Sequence, residues 1–321
     1  WALFDYRTVL LAQFPHAKGE LSIGTHVIDW ARSLVYAQVP ESTAPEGVIA
    51  PPVLHVLDSD NLTVRERIRL PENLAGRSLL NPDHSVMYSV SASGLTVLPV
   101  GDLYKMPRVM AAKEDVLFRG SFCDRRTMTQ ELDIIDAGGG SVDFRLSTSM
   151  PGLTLSQASG TTPARVTLYL DANTYQNLRG TATGVIEITS RAGVGVPPPV
   201  RILVNAREPD QRGALVNVPG KLVDILADPV RDRFYVIRQD KNQVLVFNAT
   251  SFQQVGVLRT GNTPTQLAIS TDRRFLFVGN DNSQIVNVHD LDTLEQMEPI
   301  AFPGGHYPRS IAVSKNAVLA A

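Results

Sequence analysis

Between residues 224 and 300 apolar and polar positions alternate in short runs, and the runs occur twice in the same order. The first copy reads DILADPVRDRFYVIRQDKNQVLVFNATSFQQVGVLRTGNTPTQ and the second LAISTDRRFLFVGNDNSQIVNVHDLDTLEQMEPIAFPGGHYPRS. Ile225 aligns with Leu267, Tyr235 with Phe277, Asn242 with Ser283 and Asn248 with Asp290. Each unit is about 42 residues long and holds four runs of period two, so it predicts one sheet of four antiparallel strands. A repeat of this length built from short strands predicts an all-β chain of β-propeller type, one blade per unit.

The same pattern reaches into both ends of the chain. Residues 1–15, WALFDYRTVLLAQFP, match the second half of a unit, with Phe4-Asp5 where Phe247-Asn248 and His289-Asp290 stand later. A longer unit covers residues 23–70, swollen by a Pro- and Ala-rich surface insert at 40–51, and a partial copy covers 78–109. The last residues, FPGGHYPRSIAVSKNAVLAA, begin another unit and stop inside it. The expectation is a piece of a longer propeller; the alternative is a five-bladed ring whose composite blade joins the two end fragments.

From residue 115 to 208 the period disappears. Seven short β-type runs separated by turn residues predict an immunoglobulin-like sandwich inserted between two blades. The chain thus divides into blades at 1–112, the sandwich at 115–208 and blades again at 213–321. Insertion is tolerated at a loop whose ends lie close together.

Within a blade the strands are lettered A to D from the axis outward. The turns TDRR, PVRDR, NPDHS and WARS join A to B at one end, so the B to C and D to A loops share the other. Asp5, Asp58, Asn248 and Asp290 recur at the end of strand C, where an Asx side chain bonds its own backbone and starts the turn. Asn61 and Asn248 also head Asn-x-Thr triplets, read here as turn residues.

Composition narrows the function. The chain has 321 residues, 43% hydrophobic and 19% charged, with formal net charge -2, so neither nucleic acid nor an anionic membrane surface is an expected partner. No apolar run approaches the roughly 20 residues of a membrane span. The sequence opens on Trp1, which reads as a cut N-terminus. Cys123 is the only cysteine, excluding a disulfide framework and a cysteine-clustered zinc site.

The units resemble YVTN-type propeller repeats: FYVIRQDKNQVLVFN with TGNTPTQLAIS, and FLFVGNDNSQIVNVHD with PGGHYPRSIAVS, carry the apolar pair, polar turn, valine-rich strand and Gly-x-x-Pro loop of that family. In the two copies before the insertion LPENLAGRSLL stands where the Gly-x-x-Pro loop belongs. The inserted segment resembles bacterial immunoglobulin-like modules of the BACON type through SGTTPARVTLYLD and TGVIEITS, with no Trp before its SGTTP turn. The combination implies a secreted, periplasmic or cell-surface bacterial protein.

Catalytic motifs are scarce. The six histidines lack zinc spacing, no P-loop, HExxH or GxSxG is present, and GGG at 138–140 reads as a turn with no helix to hold a phosphate. Asp240 and Asp281-Asn282 have calcium-ligand chemistry, but no acidic spacing supplies six to eight oxygens. No cofactor is expected. The candidate site is the shared loop face: Arg77, Asn262, Thr263, Gln266, His306, Tyr307 and Arg309 from the D to A loops, with Arg238, Asp240, Lys241, Asn280, Asp281 and Asn282 from the B to C loops. These donors and acceptors, with one aromatic ring, suit a polar or anionic ligand. Arg309 is expected to hold an anionic group, Tyr307 to supply a flat surface and His306 a hydrogen bond; alternatively, Arg309 pairs with Asp281 and fastens neighbouring blades. The functional expectation is a noncatalytic extracytoplasmic scaffold that binds a protein or a glycan. The alternative is a propeller enzyme of quinoprotein or lactonase type whose axial site needs further blades.

Overall fold

The computed structural model describes residues 1–14, 25–38, 52–91, 93–120, 126–178, 180–206, 213, 215–315 and 318–320. The insert at 40–51 and Cys123 lie outside them. The chain is all β, built from small, mostly antiparallel sheets.

Strands β1 (Ala2–Phe4) and β2 (Leu10–Gln13) form a hairpin. Next, β3 (His26–Asp29), β4 (Leu34–Gln38), β5 (Val53–Asp58) and β6 (Val64–Arg69) pair in chain order, and β7 (Leu74–Leu80), β8 (Met87–Ser91) and β9 (Gly94–Leu98) make a three-stranded sheet. These sheets stack: the hairpin packs on β3–β6 through Ala12, Val35 and Leu57, and β3–β6 packs on β7–β9 through Tyr36, Leu54 and Met87.

The central segment holds two facing sheets. One has the order β10 (Val109–Ala111), β12 (Met128–Asp136), β16 (Ala164–Leu170), β14 (Leu153–Leu155). The other runs β11 (Asp115–Gly120), β18 (Val200–Ala206), β17 (Gly180–Thr189), β13 (Asp143–Thr148), β15 (Ser159–Thr161), with β11 and β18 parallel. Phe118, Leu132, Ile134, Leu168, Ile186 and Ile202 fill the space between them without exposure to solvent. Val109 belongs to this core because β10 pairs with β12, so the strand read from the sequence as the end of a repeat is structurally part of the central segment. The segment is also tied to β6: Arg69 donates to the Ser190 and Gly193 carbonyls (both 2.5 Å), and Arg108 pairs with Glu66.

Beyond it β19 (Leu222–Ala227), β20 (Arg233–Arg238), β21 (Gln243–Asn248) and β22 (Gln254–Arg259) form one four-stranded sheet, and β23 (Pro264–Ile269), β24 (Phe275–Asn280), β25 (Ile285–Asp290) and β26 (Ile300–Ala301) the next. A last hairpin joins β27 (Ile311–Val313) and β28 (Val318–Ala320). Tyr235 and Val278 pack in the core between the first two sheets, while Phe277 and Ile311 pack between the second sheet and the last hairpin.

Two turn devices recur. At the third-to-fourth-strand corners Asp5 Oδ1 accepts from the N–H groups of Arg7 and Val9, Asp58 Oδ1 from Asp60, Asn248 Oδ1 from Thr250 and Ser251, and Asp290 Oδ1 from Asp292 and Thr293. These are the Asx turns expected from the sequence. At the first-to-second-strand corners Asp29, Arg32 and Tyr36 have the spacing of Asp228, Arg231 and Tyr235. Arg32 bonds Asp29 Oδ2 (2.7 Å) and reaches the His84 carbonyl of the following sheet (2.7 Å); Arg231 bonds Asp228 Oδ2 (3.3 Å) and reaches the Arg273 carbonyl of its following sheet (3.0 Å). Both aspartates are fully buried, and one arginine therefore satisfies a buried charge and latches two sheets together.

Candidate functional site: a cleft between the two groups of repeat sheets

The loops that follow the second and fourth strands do share one end of the sheets. The Asp281 N–H donates to the Thr263 carbonyl (2.8 Å), the Asn282 N–H to the Asn262 carbonyl (3.2 Å), and the Lys221 N–H to Asp240 Oδ1 (2.7 Å). Gly261 and Gly279 allow the close fit. A Cβ at Gly261 would stand 2.6 Å from Ser283 Oγ, and one at Gly279 would stand 2.5 Å from the Pro308 carbonyl oxygen.

This end meets the N-terminal half of the chain. Asn262 Nδ2 donates to the Asn61 carbonyl (2.8 Å), Asn61 Nδ2 to the Thr260 carbonyl (3.0 Å), and Asn242 Nδ2 to Thr63 Oγ1 (2.8 Å). The Gln13 N–H donates to the Asn282 carbonyl (2.7 Å), and Asp58 accepts from both Arg65 (2.5 Å) and Arg259 (2.6 Å). Those two guanidinium groups, together with the Asx-turn N–H of Asp60, hold the Asp58 carboxyl below its usual range against the opposing effect of burial.

Beside this seam lies a cleft of about 440 Å³. One wall comes from the β2 end and the β5–β6 corner, with Phe14, Leu62, Val64 and Arg67; the other carries Lys221, Gln239, Asp240, Asn262 and Asn282. Asn262 is 3% exposed and spends its amide on the seam, and Asn282 Nδ2 donates to Thr263 Oγ1 (2.8 Å). The exposed Lys221 is different, because its ammonium group has no ion-pair partner among the described residues. The cleft therefore offers a cation and a phenyl ring within a rim of preorganised amides, which is the chemistry for orienting a polar ligand.

Of the residues expected from the sequence, Asp240, Asn262, Thr263 and Asn282 line the cleft. The others serve elsewhere. Arg309 pairs with Asp281, the fastening alternative, and Tyr307 Oη donates to Gln13 Oε1 (3.2 Å), joining the last loop to the first hairpin. Arg238 pairs with Glu114 of the central segment and with Asp240 (3.1 Å), and Lys241 stands 3.8 Å from Glu114. Gln266 lies within β23 and accepts from the Ile311 N–H (2.9 Å). Asn280 has no exposure at all; its amide donates to the Ile285 carbonyl and to Asn287 Oδ1 (both 2.9 Å), so it is a structural residue at the end of β24. Arg77 is exposed in a bulge of β7, within a strand instead of in a loop, and His306 is exposed in the last loop; neither lines the cleft.

Among the residues that sequence reasoning missed are Phe14, Leu62, Val64 and Arg67, together with Lys221 and Gln239; Thr63 and Asn242 also line the cleft. Lys221 and Gln239 were within reach, since both flank Asp240 across the shared loop end. The first four come from corners assigned to other ends of other units. Among the described residues no group of three or more His, Cys, Asp or Glu side chains could hold a metal ion, and no helix is long and apolar enough to cross a membrane.

No family model and no curated protein matches the sequence. Among solved structures, a Bacteroides ovatus GH5 xyloglucanase in complex with a XXXG heptasaccharide is similar over 35% of this chain and 20% of its own, at 16% identity and a TM-score of 0.24. A functionally unknown protein from Desulfotomaculum acetoxidans DSM 771 is similar over 84% of this chain and 69% of its own, at 13% identity and a TM-score of 0.29. This chain thus spans one fifth of the xyloglucanase, and the overall similarity to either structure is low.

Proposed function

We propose that the protein is a noncatalytic, extracytoplasmic binding scaffold of YVTN-type propeller repeats with an inserted immunoglobulin-like module, and that the cleft beside the seam receives a polar ligand, a glycan or a segment of another protein. The repeat reading is supported by four-stranded sheets paired in chain order, by their stacking on the sheets that follow and by the recurrent Asx corners. The first hairpin packs on β3–β6 and the last on β23–β26, as repeat sheets stacked on their neighbours would. The extracytoplasmic placement rests on the family resemblance.

The observation that carries the binding role is the ammonium of Lys221, without an ion-pair partner among the described residues, in a cleft that Phe14 also lines and that both halves wall. Binding of the labelled protein to an array of bacterial polysaccharides and to immobilised envelope proteins tests it. Lys221→Ala combined with Phe14→Ala is expected to lower capture at least about tenfold, the weight of one charge-assisted contact plus one aromatic face. Capture equal to that of the parent would place the ligand elsewhere.

A further inference from the structure

The five-stranded sheet of the central segment ends on β15, a strand of only three residues. Strand register sets Thr189 of β17, Arg145 of β13 and Ser159 of β15 in one cross-strand row, and Asp143 and Thr161 in the next. The residues that alternate with them, Phe144, Leu146 and Ile188, are buried in the core between the two sheets. Period two therefore turns both rows outward. Together with the turn that follows β17 they line a cavity of about 510 Å³.

That turn is held from two directions. Asp143 Oδ1 accepts from Ser190 Oγ and from the Ala192 N–H, and its Oδ2 accepts from the Arg191 N–H (all 3.0 Å). From outside the segment, Arg69 of β6 donates to the Ser190 and Gly193 carbonyls. The wall of the cavity is thus fixed before any ligand arrives, and Asp143, the one carboxylate in the lining, is committed to the turn.

Two cations in the lining are committed to nothing. Arg145 and Arg191 are exposed, and neither guanidinium has an ion-pair or hydrogen-bond partner among the described residues. Glu187, exposed on the same face one row away, pairs with neither of them. Other arginines of the segment are spent, Arg201 on Asp115 and Arg165 on Asp133. The Ser159 and Thr161 hydroxyls are likewise without partners among the described residues. We propose that this cavity is a second binding site, separate from the cleft beside the seam, and that it takes an oxyanion group, a carboxylate or a sulfate, of an acidic ligand. A guanidinium fork matches the paired oxygens of either group, and the hydroxyls supply further donors. The chain as a whole carries a formal net charge of -2, so attraction for an anion has to come from a local site such as this one.

Binding of the full chain to fluorescent dextran bearing sulfate groups, carboxymethyl groups or neither tests the proposal. Capture of a charged dextran and not of the plain one is expected, and which charged form is captured tells the oxyanion. Arg145→Gln and Arg191→Gln should each weaken that binding about tenfold, and the two together about 100-fold, the weight of one charge-assisted contact apiece. Both side chains are exposed and unpaired, so the melts of these variants should match the parent's. Arg119→Gln removes the same charge from an exposed position on β11, at the other edge of the same sheet, and is expected to leave binding unchanged. An equal loss in Arg119→Gln would mean that the surface at large attracts the polymer, and would overturn the proposal. So would capture of neither charged dextran, equal capture of the plain one, or full capture by the double variant.

Discussion

His289 is 1% exposed on β25, and neither ring nitrogen completes a hydrogen bond. Burial pushes its pKa from 6.5 down to about 4, with the Arg259 backbone opposing weakly. A base whose pKa falls on folding is bound as its neutral form, and the unfolded chain takes up the proton first. Stability is therefore fully present above about pH 6.5 and declines as the pH drops toward 4, by up to about 3 kcal/mol. Melting curves between pH 7 and pH 4.5 should show that loss in the parent and a much smaller one in His289→Leu; equal slopes would assign the acid sensitivity to another group. The depressed carboxyls of Asp29, Asp58 and Asp228 act lower, because their contribution is lost only as the pH falls below the ordinary carboxylate range. At this scale the sequence was partly readable. Alternation marked His289 as a strand residue but did not show that its ring would be removed from water.

At the scale of strands and turns the repeat itself makes the test. Tyr235 fills the space between two sheets and donates from Oη to Asp228 Oδ2 (3.0 Å), while burial and that bond push its phenol up to about 12. Tyr235→Ala should cost about 3 to 5 kcal/mol, since it opens a cavity and strips a partner from a buried carboxylate. Tyr88, seven residues after the corner residue Asn81 as Tyr235 is after Asp228, is 38% exposed, and Tyr88→Ala should cost less than about 1 kcal/mol. Similar losses in chemical denaturation would show that the aligned positions are not structurally distinct. Another repeated feature carries no signal in the sequence: the outer strand bulges at Leu11, Arg65 and Val255, just past the Asx corners of Asp5, Asp58 and Asn248. Three unlike residues share one backbone irregularity, so the corner geometry imposes it and side-chain chemistry does not.

For the whole molecule, the core of the central segment draws on residues 109 to 204 alone. Residues 107–206 expressed by themselves should give a single cooperative melt, whereas a product lacking one would mean that Arg69, Glu66 and the rest of the β6 contact are needed for folding. That contact also orients the segment, because Arg69 holds the Ser190–Gly193 turn while Arg238 and Lys241 reach Glu114 near its entry. Residues expected to meet a ligand thus hold the parts together. The ion pair of Arg309 and Asp281 lies largely in solvent and adds little to stability, as exposed pairs do.

Within the two aligned units the four-strand order and the Asx corners were present in the sequence, because each depends on alternation or on hydrogen bonds within a few residues of chain. So was the meeting of Asp281 and Asn282 with the Asn262–Thr263 loop, which follows from antiparallel pairing inside one unit. What fills the cleft wall opposite them did not follow from it. Phe14, Leu62 and Arg67 reach that place only through contacts such as Asn61 to Thr260, roughly 200 residues apart in the chain. The exposed face of β7–β9, with Leu79, Val90, Leu95 and Val97, is of the same kind. Its pattern is that of a buried strand, and only the route taken by the chain after β9 left it in water.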